Sequence, residues 1–116
     1  MGIVKDKARM DALPIGRFQA DLLDFANATG AALWYLAGNY EWLVWGTWDG
    51  ATATLQQSPD LTSDKWIDFN AAVATADGRL TGIPISKSYM RVALTNVGAN
   101  TRLYSTLNQV DRNGRY

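Results

Sequence analysis

The sequence predicts an all-β domain, an antiparallel and jelly-roll-like β-sandwich of about seven or eight strands with an extended N-terminal arm. Three observations support this prediction. Short alternating or apolar stretches recur roughly every 8–12 residues, and Gly, Asn, Asp or Pro separates them. Between Trp45 and Pro59, an apolar stretch and an alternating stretch flank Asp49-Gly50, a pair that favours a β-hairpin turn. The 116 residues include no cysteine, so side-chain burial has to stabilise the fold.

The chain divides into an arm at residues 1–14, a sandwich domain at residues 15–110 and a polar tail at residues 111–116. The arm shows no hydrophobic periodicity, and Pro14 separates it from the domain. Its apolar residues stand among charges, so both ordering on a partner's surface and plain disorder remain open. The apolar residues in question are Ile3, Val4 and Met10.

The first predicted element, residues 17–25, fits two patterns. Phe18, Leu22 and Phe25 form a helical stripe, whereas Phe18, Ala20 and Leu22 form one face of a strand. We favour a strand because the rest of the chain is predicted to be β-structure.

The most apolar element is a strand from Tyr40 to Trp48, which follows a short strand at residues 31–36. Tyr40, Trp42, Val44, Gly46 and Trp48 share one face, and Glu41, Leu43, Trp45 and Thr47 share the other. Because both faces are largely apolar, we predict a central strand or one whose outer face meets a partner. Gly46 indicates a bulge or a close backbone approach.

The later strands alternate in the same way. Gly82 and Pro84 interrupt one of them, which is therefore predicted to lie at a sheet edge. The predicted later strands are residues 51–58, 66–69, 79–85, 89–95 and 101–107.

Histidine and cysteine are both absent, which excludes zinc sites, cysteine nucleophiles and Ser-His-Asp triads within the chain. Asp60, Asp64 and Asp68 recur every four residues, but their spacing does not match an EF-hand calcium loop, and Asp is a common turn residue. Glu41 is the only glutamate, which disfavours a paired-carboxylate hydrolase. We therefore predict no catalytic residue, no metal and no cofactor, and a protein that is not an enzyme.

Neither nucleic acid nor membrane is a predicted partner. The 11 basic and 11 acidic residues balance, and no Lys/Arg cluster with interleaved aromatic residues occurs. No apolar run approaches the ~20 residues that a membrane-spanning helix needs. The charged N-terminal residues precede no apolar segment, so we expect no signal peptide and synthesis in a cytosol.

Five tryptophans and five tyrosines are more large rings than a small core can take. Successive residues of a strand point to opposite faces. Trp34 and Tyr35 therefore lie on opposite faces of their strand, and so do Trp42 and Trp45 of theirs. The rings left near the surface have three alternative interpretations. They are partly buried packing residues, or they form a protein interface, or they form a platform on which a sugar stacks. We favour an interface, because the sequence reveals no convergent polar groups for a sugar. The candidate interface residues are Trp34, Trp45, Trp48, Ile3, Val4 and Met10.

The run from Tyr40 to Gln56, with Ser58-Pro59-Asp60 and Trp66-Ile67-Asp68 after it, resembles small virion proteins of tailed bacteriophages. Tyr89-Met90-Arg91-Val92 and Leu103-Tyr104-Ser105-Thr106-Leu107 resemble the closing strand pair of the same pattern, so the resemblance covers roughly residues 18–107.

The resemblance implies a structural virion protein of the capsid decoration, or cement, type. Such proteins act by protein–protein contacts, so the implied partners are the major capsid protein or another virion protein, and further copies of the chain in a trimer or dimer. The implied location is the virion, after synthesis in the host bacterial cytoplasm. The alternative is a receptor- or carbohydrate-binding β-module of a phage tail or fibre.

Overall fold

A computed structural model describes residues 19–59 and 66–110 of the chain, with only the backbone of Asn70. Within these residues the chain forms two four-stranded antiparallel sheets that pack face to face around one core. The whole predicted arm at residues 1–14, including Ile3, Val4 and Met10, and the tail at residues 111–116 lie outside the described residues. The strands are β1 (Gln19–Ala26), β2 (Leu33–Tyr35), β3 (Gly38–Thr47), β4 (Thr52–Ser58), β5 (Ile67–Ala74), β6 (Gly78–Ile85), β7 (Ser88–Thr95) and β8 (Arg102–Gln109).

The strand order follows one rule: the chain folds back on itself about the connection between β4 and β5. β1 therefore pairs with β8, β2 with β7, β3 with β6, and β4 with β5. Two further pairings, β3 with β8 and β4 with β7, complete sheets of order β1-β8-β3-β6 and β2-β7-β4-β5. This is the strand order of a jelly roll, and the predicted fold class is confirmed.

The predicted hairpin at Asp49-Gly50 is wrong, because β3 and β4 belong to different sheets. The turn itself is of the expected kind. Asp49 and Gly50 have φ angles of 46° and 87°, and the Ala51 amide donates to the Trp48 carbonyl at 2.9 Å. Turn residues specify only a local chain reversal. At this turn the chain crosses from one sheet to the other, which places the apolar faces of β3 and β4 in one core.

The interior contains polar groups that are hydrogen-bonded. The Trp42 indole donates to Ser105 Oγ at 2.7 Å, and the Ser105 hydroxyl donates to the Leu43 carbonyl at 2.8 Å. The Tyr35 hydroxyl crosses between the sheets and donates to the Leu107 carbonyl at 2.8 Å. Burial raises the pKa of the Tyr40 phenol to about 12. Because unpaired buried polar groups are costly, these bonds favour one arrangement of the two sheets.

Two irregularities in β1 explain its ambiguous sequence pattern. The register against β8 shifts between Asp21 and Leu23, and again between Leu23 and Ala26. Consecutive Leu22 and Leu23 are both buried as a result, which a regular strand does not allow. The predicted strand is confirmed.

Glycine and proline lie where the sequence predicts a departure from regular pairing. A Cβ at Gly46 would overlap the carbonyl oxygen of Arg102, so the predicted close backbone approach is confirmed. Gly82, with φ 71°, lies in a bulge of β6 against β3. β6 is an outer strand of its sheet as described, which leaves Pro84 without a pairing requirement on one side.

Candidate interaction surface

The outer face of the β1-β8-β3-β6 sheet carries a row of three aromatic side chains, which we call the aromatic row: Phe25, Tyr104 and Trp45. Trp45 on β3 lies directly opposite Tyr104 on β8, and their rings stack at 15° with centroids 5.7 Å apart. Phe25 on β1 lies on the other side of Tyr104, with the centroids of their rings 6.1 Å apart. The row therefore crosses three neighbouring strands of one sheet.

Much of the aromatic row is open to solvent. Phe25 is 60% exposed and Trp45 39% exposed. The Arg102 guanidinium lies over the Phe25 ring, 5.4 Å from its centroid. Contiguous exposed aromatic surface is unusual on a monomer, and Trp, Tyr and Arg are the residues that contribute most to binding at protein interfaces. The aromatic row has the composition of a binding surface.

Phe25 is also held in a strained backbone conformation. Its φ of 51° is a genuine outlier for a bulky side chain and occurs beside the second register shift of β1. Such a conformation costs about 1–3 kcal/mol and is typical of functional sites. The strained backbone lies where an apolar ring stands in solvent.

A second row lies two residues further along β8 and β3, and four residues away on β1 because of its register shifts; a third row lies beyond it. Asp21, Thr106 and Leu43 are register partners across β1, β8 and β3. Gln19, Asn108 and Glu41 are partners in the same way and form what we call the polar row. A groove of about 300 Å³ runs between the polar row and the aromatic row. Its lining residues are Gln19, Glu41, Leu43, Trp45, Thr106 and Asn108.

Several side chains of the other sheet contact one another, while Ile67 and Val73 of β5 are exposed. Trp34 is half-buried against Tyr89, with ring centroids 4.7 Å apart. Arg91 lies 4.1 Å from the Trp66 ring and donates to Gln56 at 2.8 Å. The Gln56 amide in turn donates to Asp68 at 2.7 Å. The polar and aromatic side chains in these contacts therefore already have partners within the chain.

Trp48 is half-buried at the end of the sandwich, beyond the last residue of β3. It packs against the core, and its indole donates to Asp77 Oδ1 at 2.7 Å. The Gly46 amide donates to the same oxygen at 3.0 Å. Asp77 thereby ties the loop between β5 and β6 to the end of β3.

Of the predicted interface tryptophans, Trp45 lies in the aromatic row, whereas Trp34 and Trp48 lie elsewhere, in separate contacts. Sequence reasoning did not single out Phe25 or Tyr104 as partners of Trp45. Alternation places Tyr104 on an outer face, but only the strand register reveals that it faces Trp45. Whether any of these residues forms an interface stays a prediction.

Of the three aspartates that suggested a calcium loop, only Asp68 belongs to the described part of the chain. Asp49 accepts a hydrogen bond from the backbone N–H of Asn100 at 2.9 Å, and Asp68 accepts one from the side-chain amide of Gln56. Asp60 and Asp64 lie outside the described part of the chain. Within that part, no group of three or more Asp or Glu residues is placed to hold a metal ion. The described residues also contain no helix long and apolar enough to cross a membrane.

Comparison of the chain with protein-family models, with curated proteins and with solved structures found no match.

Proposed function

We propose that this chain is a structural virion protein of a tailed bacteriophage that decorates and cements the capsid through protein–protein contacts. The observation that carries the proposal is the solvent-exposed aromatic row, with Arg102 beside it. The resemblance of residues 40–68 to small phage virion proteins supports the same role.

The aromatic row offers the contact chemistry that a clamp between capsid subunits needs. Phe25, the most exposed ring of the row, gains most by transfer out of water, at roughly 25 cal/mol per Å² of apolar surface. Stacking holds Trp45 and Tyr104 in one orientation, which reduces the entropy lost when a partner binds. Arg102 adds a charge that pairs with an acidic group on the partner.

The scaffold suits the role as well. A jelly roll closes two sheets over one core and holds surface side chains in a fixed geometry. The architecture occurs in viral capsid domains and in lectins, so this support is an analogy of fold. The proposed partners are the major capsid protein or another virion protein, and further copies of the chain in a trimer or dimer. The proposal includes Ile3, Val4 and Met10 of the N-terminal arm as added contacts.

The proposal is tested by binding to phage heads. Purified chain is mixed with heads of the encoding phage that lack this protein, and cosedimentation and heat release of DNA are measured. We expect saturable binding with a fixed number of copies per head, and release at a higher temperature.

The Phe25→Ala variant is expected to bind roughly tenfold or more weakly, as for an interface hot spot. Ile67→Ala is the matched control, because Ile67 is similarly exposed, at 56%, but belongs to the other sheet. Heads that bind no wild-type chain would contradict the proposal. Equal binding by Phe25→Ala and wild type would remove the aromatic row from it.

A further inference from the structure

We propose that the groove between the polar row and the aromatic row binds a neutral oligosaccharide. This inference goes beyond cementing, and it does not rest on it. A carbohydrate site requires convergent polar groups beside an aromatic ring, and the strand register brings such groups together.

The groove extends across the sheet and along it. Gln19, Asn108 and Glu41 lie side by side on three strands, which are spaced about 4.8 Å apart. Trp45 lies four residues beyond Glu41 on β3, which places it roughly 13 Å away along the strand. Thr106 and Leu43 form the floor between them. The groove is therefore long, shallow and walled by an indole at one end.

The lining groups match a ligand covered with hydroxyl groups. The amides of Gln19 and Asn108 each offer both donors and acceptors, as the Thr106 hydroxyl does, and Glu41 offers carboxylate oxygens. Each sugar hydroxyl both donates and accepts, so it pairs with any of these groups. The exposed part of Trp45 adds a flat apolar surface, which suits the C–H face of a sugar ring.

The charge of the groove selects a neutral ligand. Of the described residues that line it, only Glu41 is charged, and Arg79 on β6 lies 3.4 Å from its carboxylate. The charges of this pair balance, and Asp21 on β1, the register partner of Thr106, adds a second carboxylate beside the groove. The Glu41 carboxylate would repel a phosphate or an acidic sugar.

The position of the groove disfavours an extended peptide as its occupant. Peptides that add to a sheet pair with the backbone of an edge strand. The groove instead lies across β8 and β3, whose backbones already pair on both sides. A ligand there meets side chains alone. On the surface of a virus particle, such a site would hold the particle at a carbohydrate-bearing surface.

The test is a titration of the full chain, labelled with ¹⁵N, against neutral oligosaccharides of glucose, mannose, galactose and N-acetylglucosamine. The signals to follow are the side-chain amides of Gln19 and Asn108 and the indole of Trp45, which Trp45→Phe identifies. We expect at least one of these sugars to shift all three signals saturably.

Variants then locate the site. Asn108→Ala and Thr106→Val are each expected to weaken binding roughly threefold to tenfold, the loss of one hydrogen bond. Trp34→Phe, on the other sheet, is the matched control and should bind as wild type does. Thermal unfolding of each variant establishes that it is folded.

Two results would overturn the inference. One is that none of these sugars shifts the three signals at millimolar concentration. The other is that shifts map to the face of the β2-β7-β4-β5 sheet. The test is separable from that of the cement role. Phe25→Ala should weaken head binding and keep sugar binding, and Asn108→Ala should weaken sugar binding and keep head binding.

Discussion

Trp45 and Tyr104 stand opposite each other on neighbouring strands, and their rings stack within 15° of parallel on a face turned to solvent. Cross-strand aromatic pairs of this kind stabilise a sheet by roughly 0.5–1.5 kcal/mol beyond the area they bury. The pair is therefore part of the fold as well as of the candidate surface.

A double-mutant cycle measures this coupling. Trp45→Ala, Tyr104→Ala and the double variant are unfolded with urea, and we expect a coupling free energy of about 0.5–1.5 kcal/mol. Trp45→Ala with Tyr89→Ala, a tyrosine on the other sheet, forms the control cycle and should be additive. Additive effects at Trp45 and Tyr104 would mean that the stacking contributes nothing to stability.

The strain at Phe25 predicts an inverted ranking of two substitutions. Phe25→Ala and Phe25→Gly both remove the ring, but only glycine tolerates a φ of 51° without cost. We expect Phe25→Gly to be more stable than Phe25→Ala by about 1 kcal/mol in urea unfolding. At Thr54, which has no positive φ and pairs in unbroken register with Ala93 of β7, the same pair of substitutions should rank the other way, because glycine weakens a strand. The same ranking at both positions would show that Phe25 is unstrained.

Gly46 is expected to be intolerant of any side chain. Its φ is 134°, and a Cβ would meet the backbone carbonyl of Arg102, which cannot move without distorting β8. Gly46→Ala should lower the free energy of unfolding by about 2–4 kcal/mol. Gly82→Ala, also at positive φ but with no atom near the added Cβ, should cost only about 1–2 kcal/mol. Equal losses of unfolding free energy at Gly46 and Gly82 would mean that the close approach of Gly46 to Arg102 does not affect stability.

The buried Tyr40 phenol predicts a loss of stability in alkali. Its pKa rises from 10.0 to about 12 on folding, because burial disfavours the charged form. The free energy of unfolding therefore keeps its full value below pH 10. It falls as the pH rises towards 12, because the unfolded chain releases the Tyr40 proton first. We expect a decrease of up to about 3 kcal/mol over this window.

Tyr40→Phe should make the alkaline dependence of unfolding shallower. The measurement is urea unfolding at several pH values between about 9 and 12. Tyr104→Phe removes a phenol from the solvent face instead of the core and is the control. A Tyr40→Phe curve as steep as that of the wild type would assign the alkaline loss to other groups.

The local features of the fold were readable in the sequence. Alternation along β3 predicted that Tyr40, Trp42 and Val44 share a face, and all three are buried. Pro84 and Gly82 predicted the outer position of β6. Each of these features depends on a single stretch of backbone, whose period and turn preferences the residues carry themselves.

The candidate surface was less accessible to such reasoning. Phe25 belongs to a segment whose apolar pattern fitted helix and strand equally, because two register shifts disturb the alternation of β1. The polar row is assembled from three strands that are far apart in the chain, so no spacing in the sequence indicates it. For this reason the sequence favoured a protein interface over a sugar site.

The positions of the strands, their apolar faces and the chain reversals could be predicted from the sequence, since each depends on neighbouring residues. Which strands pair could not, because pairing joins distant parts of the chain. Asp49-Gly50 makes the expected turn, yet β3 pairs with β8 rather than with β4. Pairing is decided by burying the apolar faces of all the strands in one core at once. That same pairing brings Phe25, Tyr104 and Trp45 together on one surface.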